Sequence, residues 1–463
     1  MATPTSNSVA STSVSASGQP NEIAALIGGW KWGSGGFGVG VTVTYSFPGE
    51  TGGAASYIAG YGGSEEEWVS WYALNSSERS AVTQALAHFA QSAGVSFSKL
   101  ADNDSEVGEL RFTGSFSQSS FAHAYYPGGY PEAGDAWFSE DWNPSRAAIE
   151  KGSYWWFTII HELGHAMGLK HPFSGDAVLP DATDHYAYTV MAYDTKPGAN
   201  GDTWASIYPT TYMYYDLLAL EKLYGKSTTA NLGNTTYTYS QGGEYWETIN
   251  DAGGKDTIVY SATSGGRIEL TSGKWSQLGQ AIEFGDGTST RDTVTIGPSA
   301  VIENATGGSG ADTLIGNSVA NVLKGAGGGD VLKGGGGGDT LVGGPGKDKL
   351  TGGPGADKFV FGAALNASTN KDTILDFQHL TDRIQLDDDV FTKFGQGGTR
   401  SLPAGNFRAG APQDANDYVL YVKSSGLLSY DADGSGSGAA IAFALLGTTT
   451  HPTLTAADFQ LIG

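Results

Sequence analysis

The 463-residue chain carries no cysteine, 25 basic against 48 acidic residues and a formal net charge of −23. That charge argues against nucleic acid as a partner, since phosphate binding needs Lys/Arg surfaces, and against an anionic membrane surface; the missing thiols exclude disulfides, thiolate metal sites and a cysteine nucleophile. Glycine stands at 70 residues, roughly twice its usual share of about 7%, and no apolar run approaches the ~20 residues of a membrane span, so stable membrane insertion is not expected.

Residues 1–20 are rich in Ser, Thr and Ala and lack a charged start followed by an apolar core. They read as a flexible tail or a propeptide remnant rather than a Sec-type signal. Val41 to Phe47 alternates like a strand that ends at Pro48. Ser77 to Ala93 places Val82, Leu86, Phe89 and Ala93 on one helical face. Leu110 to Phe112 and Ala122 to Tyr126 read as short strands, and Ala147 to Leu169 as mostly helical. Tyr212 to Tyr224 is a further helix, stopped by Gly225. After about Ser227 helical periodicity fades and Thr, Gly, Asn and Asp rise.

Residues 161–171 read HELGHAMGLKH. In a helix His161 and His165 lie one turn apart and project from the same face, able to share one tetrahedral zinc. Glu162 sits beside them, placed to take a proton from water and pass it to a leaving amine. Gly168 lets the chain turn sharply at low steric cost and bring back His171 as a third ligand. Three protein ligands with one open position mark a catalytic zinc rather than a structural one. The helix has an apolar approach through Trp155, Trp156, Phe157, Ile159 and Ile160, which suits a buried active-site helix.

From Gly307 to Val360 the chain keeps a strict nine-residue period of the form GGxGxDxUx, where U is apolar. Six residues form a turn that binds calcium and three form a short strand. The apolar positions Leu314, Leu323, Leu332, Leu341, Leu350 and Phe359 are expected to point inward. Asp312, Asp330, Asp339, Asp348 and Asp357 are the expected carboxylate ligands. Gly308, Gly310, Gly325, Gly327, Gly334, Gly336 and Gly343, with Pro345, are expected to offer backbone carbonyls from the same turns. Successive turns fall on opposite sides of a flattened coil, so each calcium sits between turns 18 residues apart. The second block carries Asn317 for Gly and Asn321 for Asp, so its turn is expected to bind weakly or not at all. Without calcium the Asp rows repel, and the short apolar strips do not offset chain entropy.

The pattern HExxHxxGxxH, with Met191 20 positions beyond His171, resembles the metzincins. Pro172 after the third histidine narrows the resemblance to the serralysins, as does the Tyr215-Asp216 to Leu223-Tyr224-Gly225 segment. So do Asp251-Ala252-Gly253-Gly254-Lys255-Asp256 and the Ile302-Glu303-Asn304-Ala305 lead-in to the repeats. The resemblance covers roughly residues 41 to 463. It implies a hydrophobic floor at Met191 and a zinc-ligating, transition-state-stabilising phenol at Tyr193. It implies an edge strand at Ala122 to Tyr126, whose His123 contacts substrate or structure rather than zinc. It also implies a junction calcium site from Asn231, Gly233, Thr235, Asp251, Gly253, Gly254, Asp256 and Glu303; Asn231 replaces the usual Arg, whose family ligand is a backbone carbonyl.

The expected architecture is an α+β catalytic domain with a twisted sheet and an active-site helix (21–227), followed by an all-β parallel β-roll (228–463). The resemblance further implies a secreted, monomeric endopeptidase exported by an ABC-type machinery that reads a C-terminal signal such as Asp458 to Ile462. Its partners would be protein or peptide substrates, with one catalytic zinc and several structural calcium ions. A repeat-bearing calcium-binding adhesion or interaction protein with an inactive protease domain is the alternative, against which the intact Glu162 and Tyr193 speak. A lipase or pore-forming toxin lacks its elbow or its long apolar helices here.

Overall fold

The computed structural model describes residues 9–50, 52, 57, 61, 67–103, 105–117, 120–201 and 204–463. The start of the expected tail, residues 1–8, lies outside them. The chain divides into two units. The first comprises Met1–Leu232 with Glu244–Ala252 and Ala281–Ala300, and the second Gly233–Gly243, Gly253–Gln280 and Val301–Gly463. The boundary thus falls five residues beyond the one read from composition, and two segments expected in the roll belong to the first unit. Glu247–Ile249 pairs there in parallel with Val294–Ile296.

In the first unit, β1 (Ser11–Ser13) pairs antiparallel with β2 (Trp30–Trp32). This corrects the reading of residues 11–13 as flexible tail. Their polar side chains gave no strand signal, and the pairing is carried by backbone bonds such as Gly33 N–H to the Ala10 carbonyl and Val14 N–H to the Gly29 carbonyl. Between them lies the short helix α1 (Asn21–Ala24). The main sheet holds β3 (Val41–Ser46), β4 (Trp71–Tyr72), β5 (Val95–Lys99), β6 (Leu110–Ser115), β7 (Ala122–Ala124) and β8 (Ala136–Ser139). Its order is β5-β3-β6-β8-β7, with β4 pairing β6 off this path. The interior pairs are parallel, and β7 joins antiparallel at the edge.

Three longer helices complete the unit. α2 (Ser76–Ser92) opens with a capping box in which Asn75 accepts from Ser77 and Glu78 N–H while Glu78 reaches back to Asn75 N–H. It buries Val82, Leu86 and Phe89. α3 (Tyr154–Ala166) begins seven residues later than the apolar pattern suggested, because Gly152 takes φ +84 and the Ser153 hydroxyl caps Trp156 N–H at 3.2 Å. α4 (Tyr214–Tyr224) ends at Gly225, φ +79.

The second unit is built from two nine-stranded sheets. Consecutive nonapeptides alternate between them, so each strand pairs in parallel with the one 18 residues on: Leu314 with Leu332 and Leu350 in one sheet, Leu323 with Leu341 and Phe359 in the other. All six inward positions are fully buried. The stack continues past Val360, where Leu350 pairs with Ile374 and Phe359 with Ile384.

Candidate active site

Helix α3 carries His161 and His165 on one face, as the i, i+4 spacing requires. Its C-terminus is held by side chains. Trp32 Nε1 donates to the Ala166 carbonyl at 2.9 Å, and the Tyr224 hydroxyl to the Met167 carbonyl at 2.9 Å. Gly168 then reverses the chain at φ +98, in a place where a Cβ would lie 2.4 Å from the Trp30 carbonyl oxygen. No other residue meets both constraints. The outgoing segment is pinned by the partly buried Lys170, whose ammonium donates to the carbonyls of Ala25 (2.6 Å), Ala177 (3.0 Å) and Ser174.

This geometry brings the three imidazoles together. His171 Nε2 lies 3.2 Å from His161 Nε2 and 3.0 Å from His165 Nε2. The opposite nitrogens are occupied: His161 Nδ1 meets the Val190 carbonyl at 2.7 Å and His165 Nδ1 the Leu169 carbonyl at 2.8 Å. A carbonyl only accepts, so both rings are Nδ1–H tautomers with Nε2 lone pairs aimed at one point. Burial, and for His165 and His171 the neighbouring rings, push the basicity down, to about 4 at His161 and about 3 at His171. The rings stay neutral at working pH, as metal ligation demands. Among the described residues this is the one group of three or more His, Asp or Glu placed to hold a metal ion. The donor set, three neutral imidazoles of which His161 and His165 have fixed tautomers, fits zinc.

Glu162 and Tyr193 flank the triad. Glu162 is buried, its Oε2 has no hydrogen-bond partner, and burial pushes its carboxyl up to about 8. The half-exposed Tyr193 ring stands 4.6 Å from His171 and 5.9 Å from His161 between centroids. Both residues line a cleft of about 310 Å³ together with His161, Ala122 of edge strand β7, Phe121, Tyr154, Phe157 and Tyr186. Tyr186 reaches this cleft from the segment that follows His171. The aromatic wall from Phe121, Tyr154 and Phe157 was not legible, since apolar residues ahead of the motif look like ordinary core. His123 sits on β7 beside Tyr125; it is not one of the three convergent ligands, though it is near enough to His165 to help lower that ring's basicity.

The family described as Matrixin matches residues 72–195, and that described as Peptidase M10 serralysin C terminal matches residues 221–396. Serralysin G of Dickeya chrysanthemi is 30% identical over 257 residues, 50% of this chain and 52% of its own length. Serralysin C of the same organism is 32% identical over 217 residues, 42% and 43% of the two chains. The serralysin of Proteus mirabilis is 30% identical over 214 residues, 41% of each.

The chain belongs to the serralysin-type metalloproteases. It spans about half the length of the curated serralysins it matches. The serralysin C-terminal match includes the whole nonapeptide stack, and there the turn carboxylates form two ladders. Asp312 N–H donates to Asp330 Oδ1 at 2.8 Å, and Asp330 N–H to Asp348 Oδ1 at 2.8 Å. On the other side Asn321 N–H donates to Asp339 Oδ1 at 2.8 Å, and Asp339 N–H to Asp357 Oδ1 at 2.9 Å. The second oxygens of Asp330, Asp339, Asp348 and Asp357 are buried without a partner. Burial and then neighbouring carboxylates push Asp330 up to about 7; burial does the same for Asp339, to about 6. Gly308, Gly310, Gly325, Gly327, Gly334, Gly336, Gly343 and Pro345 lie in the same inter-strand turns. Orphaned, mutually repelling oxygens of this kind fit hard divalent cations such as calcium.

Two ladder members were missed. Asp348 N–H donates to Asp372 Oδ1 and Asp357 N–H to Asp382 Oδ1, each at 3.1 Å. The spacing stretches there to 24 and 25 residues, so no nonapeptide frame reaches them. Asn321 behaves differently from its aspartate counterparts. Its Nδ2 donates to the Glu303 carbonyl at 2.9 Å while its Oδ1 accepts from Asn317 N–H at 2.8 Å, and Asn317 Nδ2 donates to the Ile302 carbonyl at 2.8 Å. An amide hydrogen thus satisfies the carbonyl.

Of the residues expected at the junction site, Gly233, Thr235, Gly253, Gly254, Asp256 and Glu303 lie in the second unit, and Asn231 and Asp251 in the first. Asp256 Oδ1 accepts from Thr235 N–H at 2.7 Å, its Oδ2 is buried without a partner, and its N–H donates to Glu303 Oε2 at 2.8 Å. Gly253 and Gly254 take φ of +143 and +148, and a Cβ on Gly254 would lie 2.4 Å from the Gly233 carbonyl oxygen.

Proposed function

We propose that this chain is a secreted zinc endopeptidase of broad specificity whose β-roll is stabilised by calcium. The observation that carries the reading is the convergence of three neutral Nε2 atoms beside a buried, unpartnered carboxylate at the wall of an open cleft.

His161, His165 and His171 would hold the metal. A zinc ion supplies a Lewis acid toward a peptide carbonyl and toward water. Glu162 lines the same cleft; a divalent cation beside it would offset the burial that raises its carboxyl, and the resulting carboxylate would accept a proton from water and return it to the departing amine. Tyr193 offers a phenol at the cleft mouth for the oxyanion. Among the described residues β7 is the last strand of its sheet, and it borders the cleft, the place where an extended peptide would add as a further strand. Phe121, Tyr154, Phe157 and Tyr186 give the cleft an apolar wall for one substrate side chain. A folded protein cannot lay an extended strand along β7, so flexible or unfolded segments are the substrates. No helix among the described residues is long and apolar enough to cross a membrane.

Glu162→Gln tests the chemistry. The variant should bind zinc with the parent's stoichiometry and lose casein hydrolysis by at least roughly 10²- to 10⁴-fold. Native turnover in that variant would remove the mechanism.

A further inference from the structure

Asp216, on helix α4, is fully buried, and among the described residues it makes no ion pair with a lysine or arginine. An unpaired buried carboxylate is costly, so its surroundings have to favour the charge. Burial pushes its carboxyl up to about 7, and three donors work against that: Asp216 accepts from the Thr189 hydroxyl at 2.5 Å, Val190 N–H at 2.8 Å and Met213 N–H at 2.9 Å. The two backbone N–H groups only donate, and the hydroxyl donates as well. The pocket is matched to a carboxylate.

One of these bonds leads out of the pocket. The Thr189 oxygen that donates to Asp216 accepts from Met191 N–H at 3.0 Å. That N–H belongs to the same peptide group as the Val190 carbonyl, which receives His161 Nδ1 at 2.7 Å. Imidazole, peptide group, hydroxyl and carboxylate therefore form one chain in which every hydrogen bond points toward Asp216. Aligned bonds polarise one another. A negative charge at the far end makes the Val190 carbonyl a stronger acceptor, locks the Nδ1–H tautomer and raises electron density at Nε2. The nearest cation this arrangement provides for is the one His161 would bind.

We propose that Asp216 and Thr189 are positioning residues that orient and activate the metal ligand His161 through the Val190–Met191 peptide group. The proposal rests on reading the histidine triad as a zinc site. The same residues also fix the turn that places Met191 beneath the histidines, so one carboxylate serves both the floor and a ligand.

The test uses the full chain and zinc binding measured by chelator competition, with the absorption spectrum of the cobalt-substituted protein as a second readout. Thr189→Val breaks the chain in its middle and keeps the side-chain shape; Asp216→Asn removes the charge. Each should weaken zinc binding by roughly 10- to 100-fold and shift the cobalt ligand-field bands, and the double variant should be little worse than either single one. Leu217→Ala, a buried neighbour outside the chain, should lower thermal stability without moving the spectrum. Parental affinity and spectrum in Thr189→Val would overturn the proposal even if Asp216→Asn fails to fold. A parent protein that binds no zinc would instead overturn the functional reading.

Discussion

A Cβ placed on Gly164 would lie 2.6 Å from the sulfur of Met191. The glycine inside HELGH is thus set by the residue beneath the helix. Glycine in a helix interior normally costs about 1 kcal/mol relative to alanine, so Gly164→Ala ought to stabilise α3. Met191 is fully buried, so its thioether has to repack within the core to make room. Overpacking of about 1–3 kcal/mol outweighs the gain. The melting temperature of the first unit should drop by several degrees and zinc affinity with it. Gly36→Ala, where a Cβ meets nothing within 4 Å, is the control expected to leave both unchanged.

His88 gives the first unit an acid sensitivity of its own. Its ring stacks on Tyr212 at 6.2 Å, its Nε2 is buried without a partner, and burial with the nearby Lys151 ammonium lowers its basicity to about 4. Between pH 6.5 and 4 the unfolded chain takes up a proton that the folded chain refuses. Stability is therefore retained above pH 6.5 and lost as pH falls toward 4, by up to about 3 kcal/mol. His88→Phe should shrink the difference between melting temperatures at pH 7.5 and pH 5; an unchanged difference would assign the acid sensitivity elsewhere.

The Asn321 amide predicts an engineered gain. Chelation should unravel the roll, read as a loss of β-sheet circular dichroism. Asn321→Asp trades the Nδ2–H donated to Glu303 for a carboxylate oxygen facing that carbonyl. The variant should bind one calcium more than the parent by equilibrium dialysis and should be less stable than the parent in chelator, because two oxygens then face each other. Equal stoichiometry would mean that the carbonyl and the new carboxylate are not positioned to share a cation.

Much of the catalytic geometry was legible because it is local. Spacing within one helix fixes His161 and His165, and Gly168 fixes the return of His171. The roll was legible for the same reason, as each block repeats its own turn. What escaped depends on distant segments meeting. Asp216 lies 26 residues from Val190, and no pattern announces that they touch. Asp372 and Asp382 escaped because an insertion breaks the period while leaving the ladder intact. The segments 244–252 and 281–300 have the composition of the roll yet belong to the first unit, since their pairing partners, not their residues, decide where they fold.

Alternation of the nonapeptides between two sheets has an arithmetic consequence. A single added or deleted block sends every later strand to the opposite sheet relative to the strands ahead of the change, carrying the paired closing strands Arg383–Asp387 and Phe459–Ile462 across together. Growth or shrinkage by block pairs preserves parity and leaves the far end undisturbed. A stack built this way can drift in length over evolution, but only in even steps.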